Sequence, residues 1–287
     1  MTRARLLIVL VALLVAGGLS MAPNANAAGG GYGDWSCRPT AEHPDPVVLL
    51  HGLGGDPEGN FAYLGPALAA DGWCAFTAPY SPPDRWPVYG LSAIDQAAAD
   101  VAGFVQEVLT ATGADHVAIV GHSEGAFLSL YAPKFAGIAG QVRTVVALAP
   151  PTHGVDPFGL ATVGQTLGFM DESDAFMRNG GCAACADMVA GGPAVQRLEN
   201  GPIAQAGIVY TVIATRTDAL VQNSAYSPPT DTAFVREPGV TNLYVQDRCP
   251  ADPVGHVGLA FDPTVLDLVR EGLGDSATGA CSFGPPL

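Results

Sequence analysis

One serine in this sequence lies in a pattern that prepares a hydroxyl group for nucleophilic attack. Ser123 is the centre of Gly121-His-Ser-Glu-Gly125, a G-x-S-x-G motif that follows an apolar, β-branched run and precedes a segment compatible with a helix. A strand, this pentapeptide and a helix together are typical of a nucleophile elbow, a strained turn that projects the serine above a sheet. The two glycines leave room where a side chain would collide with neighbouring backbone.

A serine hydroxyl needs a base to take its proton, and the base needs a carboxylate to orient it. Behind an elbow of this kind the chain order is serine, acid, histidine. We predict Asp218 as the acid because it follows a late apolar run, with Asp247 and Asp252 as alternatives. We predict His256 as the base because it is the only histidine after that acid.

Acyl transfer also requires two backbone N–H groups that stabilise the oxyanion of the tetrahedral intermediate. One is expected from Glu124, the residue after the nucleophile. The other is expected from Leu53, in the glycine-rich turn 51–55 that follows an early apolar run. The sequence gives no role to the side chain of Glu124, since only its amide is needed.

The other histidines have structural interpretations. We expect His51 to make hydrogen bonds within the turn that carries Leu53, and His122 to point away from the face of the nucleophile. His43 and His116 are expected in exposed loops. His153, which follows a predicted strand, is expected to help shape the pocket.

These residues need a scaffold, and short apolar runs alternate with helical periodicity along the chain. The predicted strands cover residues 46–50, 73–78, 117–120, 144–149, 208–214 and 242–246. The predicted helices cover residues 60–70, 92–112, 125–135 and 263–272, the second capped by Ser92 and ended by Gly113. Uniformly apolar strands that alternate with helices predict an α/β fold, a doubly wound and mostly parallel sheet with helices on both faces.

The first 27 residues are typical of a signal peptide. Arg3 and Arg5 precede an apolar run at 6–19, and small residues end at Ala27, where we expect cleavage. The apolar run is shorter than the roughly 20 residues that span a bilayer. We therefore expect an exported, secreted protein with no integral membrane span in its mature form.

We expect residues 28–287 to form one domain that begins with an exposed lead-in at 28–45. Residues 152–205 interrupt the alternation of strands and helices, and long loops in compact domains are usually functional. We interpret this segment as an insertion over the site, in part a cap and in part a pocket wall.

The formal net charge of the chain is −15, and loss of the two leader arginines makes the mature protein more acidic still. Binding to nucleic acid requires clustered lysine and arginine, so this class of partner is disfavoured. Acidity otherwise favours solubility and does not identify a reaction.

All six cysteines follow the predicted leader, and an even number in an exported protein predicts three disulfides. The sequence does not choose among the possible pairings; we expect Cys37–Cys74, Cys182–Cys185 and Cys249–Cys281. The first would tie the lead-in to a strand, and the last would tie the C-terminal tail to the loop before His256. A redox or zinc site at Cys182-Ala-Ala-Cys185 is disfavoured, because no second pair of residues has metal-ligand spacing.

From Pro46 to its C-terminus the sequence resembles the small secreted bacterial lipases of the class 2 type, within the α/β-hydrolase fold. The resemblance is carried by residues 46–55, 121–125 and 142–154, and by Cys182-x-x-Cys185, Thr215-x-x-Asp218 and Cys249-Pro-x-Asp-x-x-Gly-His256. One departure is Pro133, which could shorten or kink the helix after the elbow.

The resemblance implies hydrolysis of triacylglycerols or other carboxylic esters through an acyl-enzyme on Ser123, with Asp218 and His256 and no cofactor or metal. The resemblance also implies that the backbone amides of Leu53 and Glu124 stabilise the oxyanion. We expect a monomer that binds a lipid or other ester substrate and transiently contacts an oil–water interface. A short-chain esterase, polyester hydrolase, phospholipase or acyltransferase would use the same residues. A non-catalytic binding protein and a metal-dependent hydrolase are the alternatives from other classes.

Overall fold

The structure is a computed structural model that describes residues 30–156, 166, 168–221, 232–279 and 281–286. The predicted signal peptide lies outside the described residues, as do residues 157–165 and 167 of the predicted insertion. Within the described ranges, no helix combines the length and the apolar character that crossing a membrane requires.

The described residues form one sheet of seven parallel strands. The strands are β1 (Gly31–Tyr32), β2 (Val47–Leu50), β3 (Cys74–Thr77), β4 (Val117–His122), β5 (Val142–Leu148), β6 (Val209–Ala214) and β7 (Val240–Tyr244). Their order across the sheet is β1-β3-β2-β4-β5-β6-β7, with every neighbouring pair parallel. Because all strands run the same way, the loops at their carboxyl ends lie along one edge.

The helices connect these strands in the sequence that a doubly wound fold requires. They are α1 (Pro57–Asn60), α2 (Leu64–Ala70), α3 (Ile94–Thr112), α4 (Glu124–Phe135), α5 (Met170–Asn179), α6 (Ala183–Met188), α7 (Pro193–Glu199), α8 (Val245–Arg248) and α9 (Pro263–Leu273). The predicted helix 60–70 is observed as α2 from Leu64 onward, whereas Asn60 is the last residue of α1. The predicted last strand ends two residues early, because Val245 already begins α8.

Each face of the sheet buries its own apolar cluster. One cluster joins alternate strand residues such as Val48 and Ile119 to α3 and α4. The other joins residues such as Leu49 and Val120 to α2 and α9. Every residue of β2 and β4 is buried, which explains why these strands are apolar without alternation and confirms the predicted architecture.

The N-terminal segment is more ordered than the sequence predicts. Residues 31–32 are not part of an irregular lead-in but form β1, which pairs with β3. His43 is not exposed: it is buried, stacks on Trp73 with ring centroids 4.1 Å apart, and its Nε2 lies 3.1 Å from Asp275 Oδ1. These long-range contacts, together with the Cys37–Cys74 disulfide, hold the segment against the sheet.

The ends of α3 show one wrong and one correct prediction. Ser92 does not cap the helix, because the N-cap is Ala93. The buried amide of Ile94, at the first position of the helix, donates at 2.8 Å to Oδ2 of Asp187, a residue far along the chain. Gly113 ends the helix with φ +74°, as predicted. Pro133 lies in the last turn of α4, and the helix continues through it to Phe135.

The six cysteines pair as predicted. The three disulfides are Cys37–Cys74, Cys182–Cys185 and Cys249–Cys281. The first fixes the segment after β1 to β3, the second encloses the start of α6, and the third ties the C-terminal tail to the end of α8. Three disulfides are typical of extracellular proteins.

Candidate active site

Ser123 lies between β4 and α4 in a backbone conformation that few residues adopt. Its φ is 57° and its ψ is −118°, a strained geometry that costs of order 1–3 kcal/mol. The flanking glycines make this turn possible. A Cβ at Gly121 would lie 2.3 Å from the carbonyl oxygen of Gly125, and a Cβ at Gly125 would lie 2.0 Å from that of Leu50. The elbow therefore requires glycine at both positions.

Three predicted residues from different loops meet at this turn. His256 Nε2 lies 2.8 Å from Ser123 Oγ, and His256 Nδ1 lies 2.7 Å from Asp218 Oδ2. Asp218 follows β6 and His256 follows β7, so the parallel sheet brings both to the edge where β4 ends. The carboxylate can only accept at Nδ1, which leaves the lone pair of Nε2 to accept the serine proton.

Asp218 is fully buried, and its surroundings keep it ionised. Burial alone would raise the pKa of this carboxyl. The hydrogen bond to His256, the charge of that imidazole and the amides of Val221 and Leu220 together lower the pKa below its ordinary value. Both amides donate to Oδ1 at 2.8 Å, so the side chain is held in an Asx-type turn while Oδ2 faces the histidine.

The two alternative acids are engaged elsewhere. Asp247 Oδ1 accepts from Arg216 at 2.6 Å, and its Oδ2 accepts the amide of Tyr244. Asp252 is buried and accepts the amide of Val254. In the part of the chain that the structure describes, His256 makes its carboxylate contact with Asp218.

His122 lies closer to the site than the sequence predicts. Its ring does not turn away: Nε2 donates to the backbone carbonyl of His256 at 2.9 Å, and the two rings lie 5.3 Å apart. Burial first, and then the neighbouring charge of His256, lower the pKa of His122 to about 3, so the ring is neutral. His122 therefore supports the loop that carries the predicted base.

Asn60 is a site residue that the sequence analysis missed. Its Oδ1 accepts the amide of Gly52 at 2.9 Å and also lies 3.2 Å from His122 Nδ1. The side chain thus fixes the start of the turn 51–55, which we call the oxyanion turn. No local signal could have identified it, because Asn60 reaches Gly52 through the fold.

This predicted oxyanion turn packs directly against Ser123. A Cβ at Gly52 would lie only 3.3 Å from Ser123 Cβ. His51, buried and stacked on Tyr80, bonds through Nδ1 to the carbonyl of Gly52 at 2.9 Å, which agrees with its expected structural role. Leu53 follows in the same turn and lines the same cavity as Ser123. The oxyanion roles of Leu53 and Glu124 remain predictions.

The remaining two histidines lie away from the site. His153 Nδ1 lies 2.6 Å from Glu199 Oε1 and its Nε2 lies 3.1 Å from the carbonyl of Phe234. It is not among the residues that line the cavity at Ser123. His116 is half-buried rather than exposed, and its Nδ1 lies 2.7 Å from Arg143.

A cavity of about 450 Å³ opens over Ser123 and His256. Its walls are mainly apolar; they include Leu53, Val155, Met177, Met188, Val189, Leu220, Val221 and Val257. Several of these residues come from the segment 152–205. The volume lies within the range of small-molecule pockets, and the apolar walls suit a hydrocarbon chain more than a charged ligand. Among the described residues, no group of three or more histidine, cysteine or acidic side chains could hold a metal ion.

Comparisons with known proteins agree with this geometry. Residues 45–175 match the family model of the alpha/beta hydrolase fold. Lipase B of Aspergillus fumigatus is 18% identical, with a TM-score of 0.60 over 87% of this chain and 55% of its own, so this chain spans little more than half its length. The mature form of a lipase from Bacillus licheniformis is 21% identical, with a TM-score of 0.52 over 74% of this chain and 86% of its own. From its sheet, its elbow and these matches, the chain has the α/β-hydrolase fold.

Proposed function

We propose that this protein is a serine hydrolase that cleaves carboxylic esters, with Ser123 as nucleophile, His256 as base and Asp218 as the acid that orients it. The observation that carries this proposal is the continuous chain of contacts from Ser123 Oγ through the imidazole to the buried carboxylate. A hydroxyl, an imidazole and a carboxylate in this order form the constellation of serine acyl-transfer enzymes.

The reaction follows from these positions. Ser123 Oγ attacks the ester carbonyl carbon while its proton moves to His256 Nε2. The tetrahedral intermediate then collapses, and the same nitrogen returns the proton to the oxygen of the departing alcohol. A water molecule next gives its proton to Nε2 and attacks the acyl-enzyme, which releases the carboxylic acid and restores the serine. Asp218 stays ionised throughout and stabilises the imidazolium.

The amides of Leu53 and Glu124 would stabilise the oxyanion that forms in both steps. One amide belongs to the oxyanion turn and the other to the first residue of α4, so the two approach the carbonyl from either side of Ser123. The loss of one such donor typically costs about 3–4 kcal/mol of transition-state stabilisation. Two supports hold the turn in place, namely Asn60 at Gly52 and the stacked His51.

The preferred substrate class is a fatty acyl ester, which includes triacylglycerols. The apolar walls of the cavity favour a long acyl chain over a short polar one. The rim exposes Leu53, Leu220 and Val257, side chains that could touch a lipid surface. The two structural neighbours are described as lipases, which supports the same class.

Secretion belongs to the same proposal. The predicted leader would be removed after Ala27, and the three disulfides would form outside the cytoplasm. We propose that the mature enzyme acts as a monomer without a cofactor, that segment 152–205 covers its pocket, and that its partners are ester substrates and a transient oil–water interface.

The first test is turnover of p-nitrophenyl esters, from acetate to palmitate, by the wild type and by Ser123→Ala. The variant should lose roughly 10⁴-fold or more of kcat, because the nucleophile is gone. Ser129→Ala is the matched control: this hydroxyl donates within α4 to the carbonyl of Ala126, so its loss should leave turnover nearly unchanged. Full activity in Ser123→Ala would contradict the proposal.

The second test separates the substrate classes. Rates that rise with chain length and on emulsified triglyceride would identify a lipase, and rates confined to short soluble esters would identify an esterase. Polyester film and phospholipid vesicles test the remaining alternatives. A fluorophosphonate that fails to label Ser123 in the folded protein would instead favour a non-catalytic binding protein.

A further inference from the structure

The side chain of Glu124 is buried without a partner beside the proposed active site. Glu124 is the first residue of α4, and its carboxyl group lies in the interior, where the exposed fraction of the residue is zero. Neither Oε1 nor Oε2 has a hydrogen-bond partner among the described residues. Glutamate is almost never fully buried unless it is paired, so this carboxyl requires an explanation.

The carboxyl group packs beneath the oxyanion turn, with one glycine between them. A Cβ at Gly90 would lie 2.5 Å from Glu124 Oε2 on one side, and 3.2 Å from Leu53 Cα and 3.3 Å from the amide nitrogen of Gly54 on the other. The residue before Gly90 completes the contact, because the carbonyl of Tyr89 accepts the amide of Gly54 at 3.0 Å. The carboxyl therefore supports a loop that is itself bonded to the turn.

The charges around Glu124 favour its neutral form. Burial first, and then the negative charge of Asp187, raise the pKa of Glu124 well above its ordinary value. Arg178 pairs with Asp187, to which it donates at Oδ1 at 2.6 Å. Burial raises the pKa of Tyr80 and lowers the pKa of His51, so both rings are uncharged.

We propose that Glu124 is a positioning residue that, as a neutral carboxylic acid, holds the Tyr89–Gly90 loop against the oxyanion turn, and that loss of its proton ends this support. The inference rests on the proposed ester hydrolysis. An ionised Glu124 would be an unpaired buried charge, which the packing around Gly90 cannot solvate. It would also place negative charge behind the amides that must stabilise a developing oxyanion.

The test compares pH–rate profiles of the wild type, Glu124→Gln and Glu107→Gln. Glutamine keeps the size and the neutral state of the protonated acid, whereas Glu107 is an exposed residue of α3 and serves as the control. At pH values above the pKa of Glu124, kcat/KM of the wild type and of the control should fall about tenfold per pH unit. The profile of Glu124→Gln should lack this alkaline fall, because glutamine has no proton to lose in that range.

Infrared difference spectra give a readout that does not depend on turnover. The wild type minus Glu124→Gln should show the carbonyl stretch of a protonated carboxylic acid at neutral pH, and this band should disappear with the same midpoint as the activity. No such band, or an alkaline decline in Glu124→Gln identical to that of the wild type, would overturn the inference. A wild type that hydrolyses no ester contradicts the proposed function instead, and the band alone then decides the charge state of Glu124.

Discussion

Replacement of Asp218 by asparagine should leave the fold intact but prevent His256 from acting as the base that Ser123 needs. The carboxylate accepts the amides of Leu220 and Val221 at Oδ1, each at 2.8 Å, and faces His256 Nδ1 through Oδ2 at 2.7 Å. An asparagine can keep its oxygen beneath the two amides only by turning its NH₂ group toward the imidazole. The reverse orientation loses two buried hydrogen bonds, each worth about 1–3 kcal/mol.

An NH₂ group at His256 Nδ1 makes that nitrogen an acceptor, so the ring proton moves to Nε2. Nε2 lies 2.8 Å from Ser123 Oγ and can then no longer take the serine proton. The wrong tautomer at a serine, histidine and aspartate site lowers kcat by about 10⁴-fold. This factor corresponds to about 5.4 kcal/mol of barrier. We expect a loss of that size in kcat, with KM changed little because the cavity walls are untouched.

The assay is the initial rate on a soluble p-nitrophenyl ester, with the rate of fluorophosphonate labelling as a second readout and thermal unfolding as a check of the fold. Asp247→Asn is the matched control, because this exposed carboxylate pairs with Arg216 and such pairs contribute about 0–1 kcal/mol. It should keep its activity within about twofold. An Asp218→Asn variant with more than about a tenth of wild-type kcat would refute the assignment, since the wrong tautomer costs far more.

Three further predictions test the packing, the disulfides and the charges of the fold. Gly125→Ala should lower the free energy of unfolding by at least about 3 kcal/mol, because the new Cβ overpacks against β2. Gly103→Ala, where a Cβ meets nothing within 4 Å, should raise it by about 0.5–1 kcal/mol. Thermal unfolding compares the two variants, and equal effects would contradict the packing argument. Loss of the Cys37–Cys74 disulfide, which spans 37 residues, should lower the free energy of unfolding by about 4 kcal/mol. Loss of Cys182–Cys185, which spans 3 residues, should lower it by about 2 kcal/mol, and a larger loss for this second disulfide in urea unfolding would contradict the prediction. The pKa of Glu124 is raised in the folded state, so the stability of the wild type relative to Glu124→Gln should depend on pH. This relative stability should be greatest below the unfolded-state pKa, and it should be lost at about 1.4 kcal/mol per pH unit as the pH rises from there through the folded-state pKa. An equal difference between the two urea unfolding curves at every pH would disprove the prediction.

The strands of the sheet could be predicted because a parallel strand buried on both faces leaves an uninterrupted apolar run. β2 and β4 are of this kind, and their predicted bounds lie within two residues of the observed ones. β1 could not be predicted, since Gly31 and Tyr32 carry no pattern of their own. Its position is determined by β3 and by the disulfide at Cys37, which are contacts between distant parts of the chain.

Ser123, Asp218 and His256 could be located from the sequence because the order of the three residues along the chain restricts each choice, and no other histidine follows Asp218. The residues that support them could not be located in this way. Gly90 and Asp187 act through contacts with residues far away in sequence, so their neighbours carry no signal. Asn60 contacts Gly52, eight residues before it, and His122, 62 residues after it, and no motif links these positions. The direction of His122 was wrong for the same reason, because the carbonyl that its ring meets belongs to a loop near the other end of the chain.

The parallel sheet also determines when the site can exist during synthesis. Its parts follow β2, β4, β6 and β7, which are spread over most of the chain, and the bridge that secures the last loop requires Cys281. A translation product that ends before Cys281 lacks part of this set. A nascent chain therefore contains Ser123 for more than a hundred residues before His256 is made. If the proposed function is correct, we expect no ester hydrolysis by the polypeptide until its final segment has folded.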